Sequence, residues 1–340
     1  MKAGASLTLL LSGLLVSPAW AVESLPGSVS ELSLVSEQVI TGMPAGNLSG
    51  LAWCAGALWA LSDRDDDRLY TLRDTPGVLQ AQAEVFAAPA VPFSGLPWGQ
   101  RVRNDLSGIW RGGDLDFEGL TCDAAGNRYL VSEAHVAVLK LPVQGPPNWL
   151  RLPPSLLPKA RAKGLLWQFN GLFEGLAVDP AGSRLWLAAE RESRGLLALQ
   201  QESGHWVCQG DCVLFSDSGV SAAPAPLGGE VLPNDFSDLV FFNEKLFTLE
   251  RLAHQICRRN PLDGSVEHCW SFAAVALTDA RRYDLPYGLA EALWVDAGGA
   301  WVGVDNGDMS PSGGHARGDG ESRPIVWRLA APAGGWDGNL

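Results

Sequence analysis

The sequence has few positive charges and few histidines. It contains 25 Lys and Arg against 38 Asp and Glu, which gives a formal net charge of −13, and only five His. Binding to nucleic acid or to an anionic membrane surface requires clusters of Lys and Arg, so this balance argues against both kinds of partner. A surface of this charge suits cations, or ligands that a cation bridges.

The sequence also lacks the common motifs of hydrolytic catalysis. It contains no Gly-x-Ser-x-Gly nucleophile elbow, no His-Glu-x-x-His zinc motif and no Cys-x-x-Cys pair. The histidines show no metal-ligand spacing; they are His135, His205, His254, His268 and His315. A serine hydrolase of the elbow type and a helical zinc hydrolase are therefore not predicted.

Long apolar runs are confined to the N-terminus. Residues 1–21 combine a charge at Lys2, an apolar core from Leu7 to Val16 and an Ala-x-Ala ending, which is the pattern of a secretory signal. A membrane anchor is the alternative, but the apolar run is too short to span a bilayer comfortably. We therefore expect a periplasmic or secreted protein, not an integral membrane protein, whose mature chain of residues 22–340 forms one domain.

The six cysteines of an exported chain indicate disulfides, with buried free thiols as the alternative. Two of them stand symmetrically about Asp263-Gly264; if that turn closes a hairpin, they face each other across the strands. Two others could close a small loop in CQGDC, which would leave the last two to join different repeats. The candidate pairs are Cys257 with Cys269, Cys208 with Cys212, and Cys54 with Cys122.

One hairpin pattern recurs five times along the chain. Each copy has a polar residue that opens an apolar strand, then a turn, and then a second strand that ends at an acidic residue. The copies are NLSGLAWCAGALWALSDRDD from Asn47, DFEGLTCDAAGNRYLVSEAH from Asp116, LFEGLAVDPAGSRLWLAAERES from Leu172, DFSDLVFFNEKLFTLERLAH from Asp235 and YGLAEALWVDAGGAWVGVDNGD from Tyr287.

We call the two polar residues of each copy its opener and its closer. The openers are Ser49, Glu118, Glu174, Asp238 and Glu291, and the closers are Asp63, Glu133, Glu190, Glu250 and Asp305. Opener and closer are 14, 15, 16, 12 and 14 residues apart in the successive copies, so only the turn varies in length. Nine of the ten positions are carboxylates in a chain with 38 Asp and Glu among 340 residues, so chance placement explains the pattern poorly.

The spacing of the openers predicts a β-propeller. Successive openers lie 69, 56, 64 and 53 residues apart, which is enough for about four strands and their loops. We therefore expect an all-β propeller of five blades, with a sixth if the segment HWVCQGDCVLFSDSG forms a degenerate blade. The segment SELSLVSEQVI alternates like a strand and could close the ring by joining the last blade.

Radial stacking of such hairpins would bring the openers and closers to one rim of a central channel. Carboxylates crowded there repel one another, and a hard cation such as Ca²⁺ compensates that repulsion well. Asp114, Asp116 and Glu118 alternate along one strand and should point the same way. The expected metal ligands are Asp63, Asp116, Glu118, Glu133, Glu174, Asp238, Glu291 and Asp305, with further acids nearby at Asp65, Asp66, Asp67 and Asp308.

Arginines offer the alternative explanation for an acidic rim. Arg64, Arg191 and Arg251 each follow a closer directly, so each could pair with the opener or closer of an adjacent blade. Ion pairs of this kind are the usual state of buried acids.

Three segments resemble a known family. NGLFEGLAVDPAGSRLWLAAER, FSDLVFFNEKLFTLER and EALWVDAGGAWVGVDN are similar to the exported bacterial proteins described as "esterase-like activity of phytase". The resemblance runs from about Leu48 to Leu329, and it implies a β-propeller, a periplasmic or secreted location, and hydrolysis of phosphate or carboxylic esters. The metal-binding signature strings of β-propeller phytases are not found in this chain, so the resemblance supports the fold more firmly than the reaction.

The expected function is Ca²⁺-assisted hydrolysis of a small-molecule phosphoester or other ester. The candidate catalytic residues are Glu118, Glu174, Glu190, Glu250, Arg191 and Arg251, with Arg64 as a further phosphate-binding candidate. His135 or His254 could serve as a general base, although a surface or loop histidine is the ordinary interpretation. A Gly-rich loop that contains His315 and Arg317 could be a lid over the rim, with an ordinary flexible loop as the alternative.

Two other functions fit the same pattern. A non-catalytic propeller that binds a ligand or partner in the cell envelope would use its acids to hold the blades together, and each acid would be consumed by an Arg or a backbone N–H. A lactonase-type metal hydrolase, like a phosphatase, needs an open pocket with at least three converging oxygen ligands. The geometry of the rim distinguishes the binding protein from the hydrolases.

Overall fold

The computed structural model describes residues 29–43, 47–111, 113–306 and 317–338, which form mainly antiparallel sheets with helices between them. The expected signal segment of residues 1–21 and the candidate residues Asp308 and His315 lie outside the described residues.

The sheets are five blades, counted over the described part of the chain. Two strands, β1 (Ser30–Glu31) and β2 (Leu34–Thr41), precede them. Blade I is β3 (Leu48–Cys54), β4 (Ala57–Ser62), β5 (Arg68–Thr75) and β6 (Val78–Val85). Blade II is β7 (Phe117–Cys122), β8 (Arg128–Ser132), β9 (Ala137–Leu141) and β10 (Asn148–Trp149). Blade III is β11 (Phe173–Val178), β12 (Arg184–Ala189), β13 (Arg194–Glu202) and β14 (His205–Asp217).

A small hairpin separates blade III from the last two blades; it is β15 (Val220–Ala222) and β16 (Val231–Pro233), with a 3₁₀ turn at Ala225–Leu227 between them. Blade IV is β17 (Asp238–Phe242), β18 (Lys245–Glu250), β19 (Gln255–Arg259) and β20 (Val266–Ser271). Blade V is β21 (Ala290–Asp296), β22 (Gly299–Val304) and β23 (Ile325–Ala330), with β2 as its fourth strand. The α-helices are α1 (Trp98–Arg111), α2 (Leu156–Ala162) and α3 (Ala273–Ala276), and none is long and apolar enough to cross a lipid bilayer, among the residues described.

Four of the five inner hairpins use one of two kinds of turn. Ala55-Gly56 and Asn243-Glu244 close two-residue loops in which every φ is positive, between 47° and 82°. This is the backbone twist that matches a tight β-hairpin. Blades II and III have longer loops, each led by an aspartate that accepts backbone N–H groups from residues four or five positions later.

The inner strands form a closed ring. Strands β3, β7, β11, β17 and β21 contact one another in that order, and β21 contacts β3. Glycines after three openers permit the close approach: a Cβ at Gly50, Gly119 or Gly175 would lie 3.1, 3.1 or 2.6 Å from a backbone nitrogen of the next inner strand. A larger residue at these positions would push adjacent blades apart.

The N-terminal strand closes the propeller, as the sequence predicts. Strand β2 pairs antiparallel with β23 and parallel with β6, so it joins the last blade to the first in one eight-stranded sheet. The short strand β1 pairs with β20 of blade IV. The cysteine-containing segment that could have been a sixth blade is β14, the fourth strand of blade III. The predicted all-β propeller is therefore confirmed, with five blades over the described residues.

The three expected disulfides are present. One joins the inner strands of blades I and II, another crosses the β19–β20 hairpin, and the third closes a small loop within β14; they are Cys54–Cys122, Cys257–Cys269 and Cys208–Cys212. Apolar clusters fill the spaces within and between the blades, as where Trp186 of blade III stacks on Phe241 of blade IV with ring centroids 5.0 Å apart.

Candidate active site

In four blades the opener lies outside the regular strand ladder. The pairing of the inner hairpin skips one residue at this position in β3, β7, β11 and β21, which marks a β-bulge; the skipped residues are Ser49, Glu118, Glu174 and Glu291. A bulge re-aims the side chain of the extra residue, and bulges are frequent beside functional sites. In blade IV the opener Asp238 pairs regularly with Leu249.

The closers lie at the same end of these hairpins, where the second strand of each hairpin finishes. Four of them directly follow the second strand of the blade, and Glu250 is the last residue of β18. The backbone N–H groups of Glu133, Glu190 and Asp305 donate to carbonyl oxygens just before the first strand, at distances between 2.9 and 3.0 Å. These bonds fix each closer beside the opener of its own blade.

Six carboxylates of blades I to III converge in two groups of three. The first triad is Asp63, Asp116 and Glu118, and the second triad is Glu133, Glu174 and Glu190. Within each triad one oxygen of every member lies within 4.8 Å of the others. Each triad combines the closer of one blade with the opener of the next, so the radial stacking of blades creates it.

The openers of the two triads lack a positive partner. Neither Glu118 nor Glu174 makes a hydrogen bond or an ion pair with another described residue, although Glu174 is only 8% exposed. Burial, and then the adjacent Glu174, Asp116 and Asp63 carboxylates, raise the pKa of Glu118 well above its ordinary value. Burial, and then Glu190 and Glu133, do the same to the pKa of Glu174. This half of the rim is therefore compensated only in part: Arg64 lies 3.5 Å from Asp63 and two arginines pair with Glu190, but the two openers form no ion pair.

The second triad fits a hard cation by its chemistry. Glu190 is 2% exposed, and its Oε2 atom is buried without a hydrogen-bond partner among the described residues. An ion at the centre of three oxygens separated by 4.8 Å or less is at most about 2.8 Å from each. Calcium binds oxygen at roughly 2.3–2.6 Å and tolerates irregular geometry, so small side-chain adjustments would suffice.

Arginine neutralises the other half of the rim. Arg251 is 6% exposed and donates to three carboxylates: from Nη2 to Glu190 at 2.9 Å, from Nε to Asp235 at 2.9 Å, and from Nη1 to Glu291. Glu190 belongs to blade III and Glu291 to blade V, so Arg251 ties blade IV to both of its neighbours. Arg191 pairs with Glu190 at 2.7 Å and donates to the Asn170 carbonyl, and 35% of its side chain is exposed.

Two predicted site residues have structural partners instead. Asp238 is fully buried and accepts the backbone N–H of Leu239 at 2.7 Å and of Leu293 at 2.6 Å, which joins blade IV to blade V. Glu250 lies between Arg194 and Arg259, each at 2.7 Å. Burial alone would raise the pKa of Glu250, but the two guanidinium groups outweigh it and lower that pKa to about 2.

Other predicted residues lie apart from the triads. Glu291 is held by Arg251, and Asp305 belongs to neither triad. His254 is buried with Nδ1 3.3 Å from a backbone carbonyl, and burial lowers its pKa. Arg317, expected on a lid, is buried and ion-paired at 2.6 Å with a glutamate of β2, so it is anchored instead.

Sequence reasoning missed Asp235, Arg194 and Arg259. Asp235 could have been found, because it starts an Asp-Phe pair that recurs at Asp116, the member of the first triad that precedes its opener. The two arginines carry no such signal, since both lie in the third strands of their blades, outside the repeated two-strand hairpin.

The described residues thus define a five-bladed propeller whose channel mouth holds two groups of converging carboxylates. The chain belongs to the phytase-like family described as "esterase-like activity of phytase", which matches residues 43–284. No curated protein sequence matches it.

The chain is also similar, at low sequence identity, to several solved structures. A glutaminyl cyclase from Myxococcus xanthus has a TM-score of 0.49 at 12% identity, over 89% of this chain and 97% of that one. The PQQ-bound aldose sugar dehydrogenase from Streptomyces coelicolor has a TM-score of 0.45 at 14% identity, over 88% and 98%. A gluconolactonase from Xanthomonas campestris has a TM-score of 0.37 at 11% identity, over 90% and 99%.

Proposed function

We propose that this protein is an exported hydrolase of phosphate or other esters that works with Ca²⁺ held by the channel carboxylates. The observation that carries the proposal is that Glu118 and Glu174, without hydrogen-bond or ion-pair partners among the described residues, each converge with two further carboxylates. Export is supported by the three disulfides, which persist in oxidising compartments.

The triads favour a hydrolase over a propeller that only binds a partner. In a purely structural rim every acid would be consumed by an arginine or a backbone N–H. Asp238, Glu250 and Glu291 meet that description, but Glu118 and Glu174 do not. Three converging oxygens are the minimum that a metal-assisted phosphatase, esterase or lactonase needs, and the rim has two such groups.

The second triad would hold the ion, and the first triad would hold a second one. When bound, Ca²⁺ would supply positive charge that polarises a phosphoryl or carbonyl oxygen and lowers the pKa of a water molecule. The partly exposed Arg191 guanidinium would bind the oxygen that gains negative charge. Arg251 would orient Glu190 and favour its ionised form against the effect of burial, which raises its pKa. When the first triad holds no ion, the half-buried Glu118 would accept a proton from the channel side.

Metal analysis combined with a substrate panel tests the proposal. We expect the purified protein to bind Ca²⁺ and to hydrolyse at least one compound from a set of phosphomonoesters, carboxylic esters and lactones, with chelation abolishing activity. Glu174→Gln removes a charged ligand, so it should raise the Kd for Ca²⁺, by about tenfold for each 1.4 kcal/mol of binding free energy that is lost. It should also lower kcat/KM. Glu230→Gln, which removes an exposed acid between β15 and β16, is the matched control and should change neither. A protein that bound no Ca²⁺ and cleaved none of these compounds would refute the proposal.

A further inference from the structure

Two adjoining cavities lie beside the segment that leads into the first triad, whose residues Asp114 and Leu115 line one of them. One, of about 840 Å³, is acidic and is lined by Asp66, Asp67 and Asp114. The other, of about 760 Å³, is largely apolar. Both volumes are typical of sites that bind small molecules. Ala90 and His135 line both cavities, so the two form one cleft with an acidic end and an apolar end.

The acidic end borders the proposed catalytic carboxylates. Asp114 lines the cavity and lies two residues before Asp116 of the first triad, and both Asp114 and Leu115 donate backbone N–H groups to Asp66, at 2.6 and 2.8 Å. On the facing segment, His135 lies two residues after Glu133 of the second triad, and its Nε2 is 3.1 Å from the Asp114 carbonyl oxygen. The same two short segments therefore supply triad ligands and cleft wall.

The apolar end is built from the segment before α1 and from the proline-rich connection that leads into α2. Its lining includes Phe93, Leu150, Leu152 and Leu157. Trp149 Nε1 donates to the Pro89 carbonyl at 2.9 Å, which fastens one wall to the other. Phe93 is 77% exposed, an unusual state for a large aromatic side chain that lines a cavity.

The charges around the cleft disfavour a substrate with several phosphate groups. The guanidinium of Arg251 already binds three carboxylates, and Arg161 at the apolar end donates to a carbonyl oxygen and a glutamine. Arg151 is exposed at the apolar end and Arg191 is partly exposed at the rim, but two separate cations compensate only two oxyanions. A polyanion would also have to pass the aspartates of the acidic end. A neutral carboxylic ester has no such cost.

We infer that the substrate is a carboxylic ester with an apolar acyl or aryl group, which binds in the apolar end of this cleft while the ester carbonyl reaches the triads. The inference rests on the proposed function, because it assumes that the ester is cleaved at the triads. Transfer of a methylene group from water to such a cavity should raise kcat/KM about fourfold. Activity should therefore increase from acetate to octanoate esters.

The first test compares 4-nitrophenyl esters of increasing acyl length, in the Ca²⁺-loaded protein, with inositol hexakisphosphate. We expect kcat/KM to rise with chain length and the phosphate compound to be the poorer substrate. Phe93→Asp should lower the ratio of octanoate to acetate kcat/KM by about tenfold, since it removes roughly 1.4 kcal/mol of apolar contact with the longer chain. Leu262→Asp changes a side chain that is 62% exposed on the β19–β20 turn, and this matched control should leave the chain-length profile intact. A flat profile, or faster cleavage of inositol hexakisphosphate, would overturn the inference.

The second test does not depend on catalysis. N-methyloctanamide, an uncleavable analogue of the ester, should bind by calorimetry to the wild-type protein and to the Leu262 variant, and more weakly to the Phe93 variant. N-methylacetamide should bind none of them measurably. If the octanamide binds as expected but no ester is cleaved, the proposed reaction fails while the apolar site stands. If the octanamide does not bind, or binds equally to the Phe93 variant, the apolar site is wrong.

Discussion

Replacement of Glu174 by Gln should have opposite effects on stability with and without Ca²⁺. Gln preserves the shape of the side chain and removes its charge. In the metal-free protein the change removes repulsion from Glu133 and Glu190, and in the Ca²⁺-bound protein it removes a ligand. Most substitutions of buried residues destabilise a protein in every condition, so a reversal of sign is specific to a cation site.

The magnitude follows from the spacing of the carboxylates. Two unit charges 4.8 Å apart interact by roughly 3 kcal/mol at an effective dielectric constant of about 20. The raised pKa of Glu174 relieves part of this repulsion, because the carboxyl group retains its proton in part of the folded population. We therefore expect Glu174→Gln to raise the free energy of unfolding of the metal-free protein by about 1–2 kcal/mol at pH 7. At a Ca²⁺ concentration of 100 times Kd, binding should raise the free energy of unfolding of the wild-type protein by about 2.7 kcal/mol, and the variant should show little of this increase.

The effect on the metal-free protein should depend on pH. Since the pKa of Glu174 is raised in the folded state, the folded protein binds this proton more tightly than the unfolded chain does. Wild-type stability should therefore fall as the pH rises from the ordinary value of 4.5 towards the raised pKa, and the advantage of the Gln variant should grow over the same interval. Below pH 4.5 the two proteins should be similar.

Urea unfolding followed by tryptophan fluorescence, with chelator or with Ca²⁺, measures these differences. Asp238→Asn is the matched control, because Asp238 is also a buried opener but accepts two backbone N–H groups. The Asp238 variant should have a free energy of unfolding about 1–3 kcal/mol lower than the wild-type protein, both with chelator and with Ca²⁺. The reasoning would be refuted if Glu174→Gln destabilised the metal-free protein as much as the Ca²⁺-bound one.

Three further substitutions test the packing between blades, each measured by the same unfolding assay. Glu250→Gln should lower the free energy of unfolding by about 3 kcal/mol at neutral pH, because the pKa of Glu250 is lowered from 4.5 to about 2 in the folded protein. This stabilisation should be present above pH 4.5 and lost as the pH falls towards 2. If wild type and variant lost stability equally in acid, the ion-pair assignment would be contradicted. Gly175→Ala should cost about 3 kcal/mol or more, because its Cβ would lie 2.6 Å from backbone of blade IV; a neutral effect would mean that the inner strands can separate. Arg251→Met should cost about 3–5 kcal/mol, since it leaves three carboxylates without their guanidinium, and equal stability would show that the rim does not need it.

Much of the fold could be predicted from the sequence because each blade repeats one local rule. The strand ends carry polar residues and the strand interiors are apolar, so five openers at similar spacing predict five inner hairpins. The closing role of residues 34–41 was predictable because that segment alternates like a strand and precedes the first repeat. The place of β14 was less clear, since its pairing with β13 is interrupted by register shifts and its two cysteines obscure the strand pattern.

The site was predictable only in part, because the residues that pair with the rim carboxylates lie outside the repeated hairpin. Glu118 and Glu174 were found from their positions alone. Nothing in the sequence distinguishes them from Glu250, whose arginine partners lie 56 and 9 residues away on other strands. Asp238 is bound by backbone N–H groups, which every residue but proline supplies, so no sequence signal identifies it as structural.

The position of β2, which closes the propeller, favours one kind of misassembly. Strand β2 pairs with β23 near the other end of the described chain, and it also covers the outer strand of blade I. Whenever β2 detaches, both blades expose an unpaired edge, which β2 meets antiparallel in blade V and parallel in blade I. A second molecule offers an identical strand, so exchange of β2 between two copies is the natural route to a swapped dimer at high protein concentration.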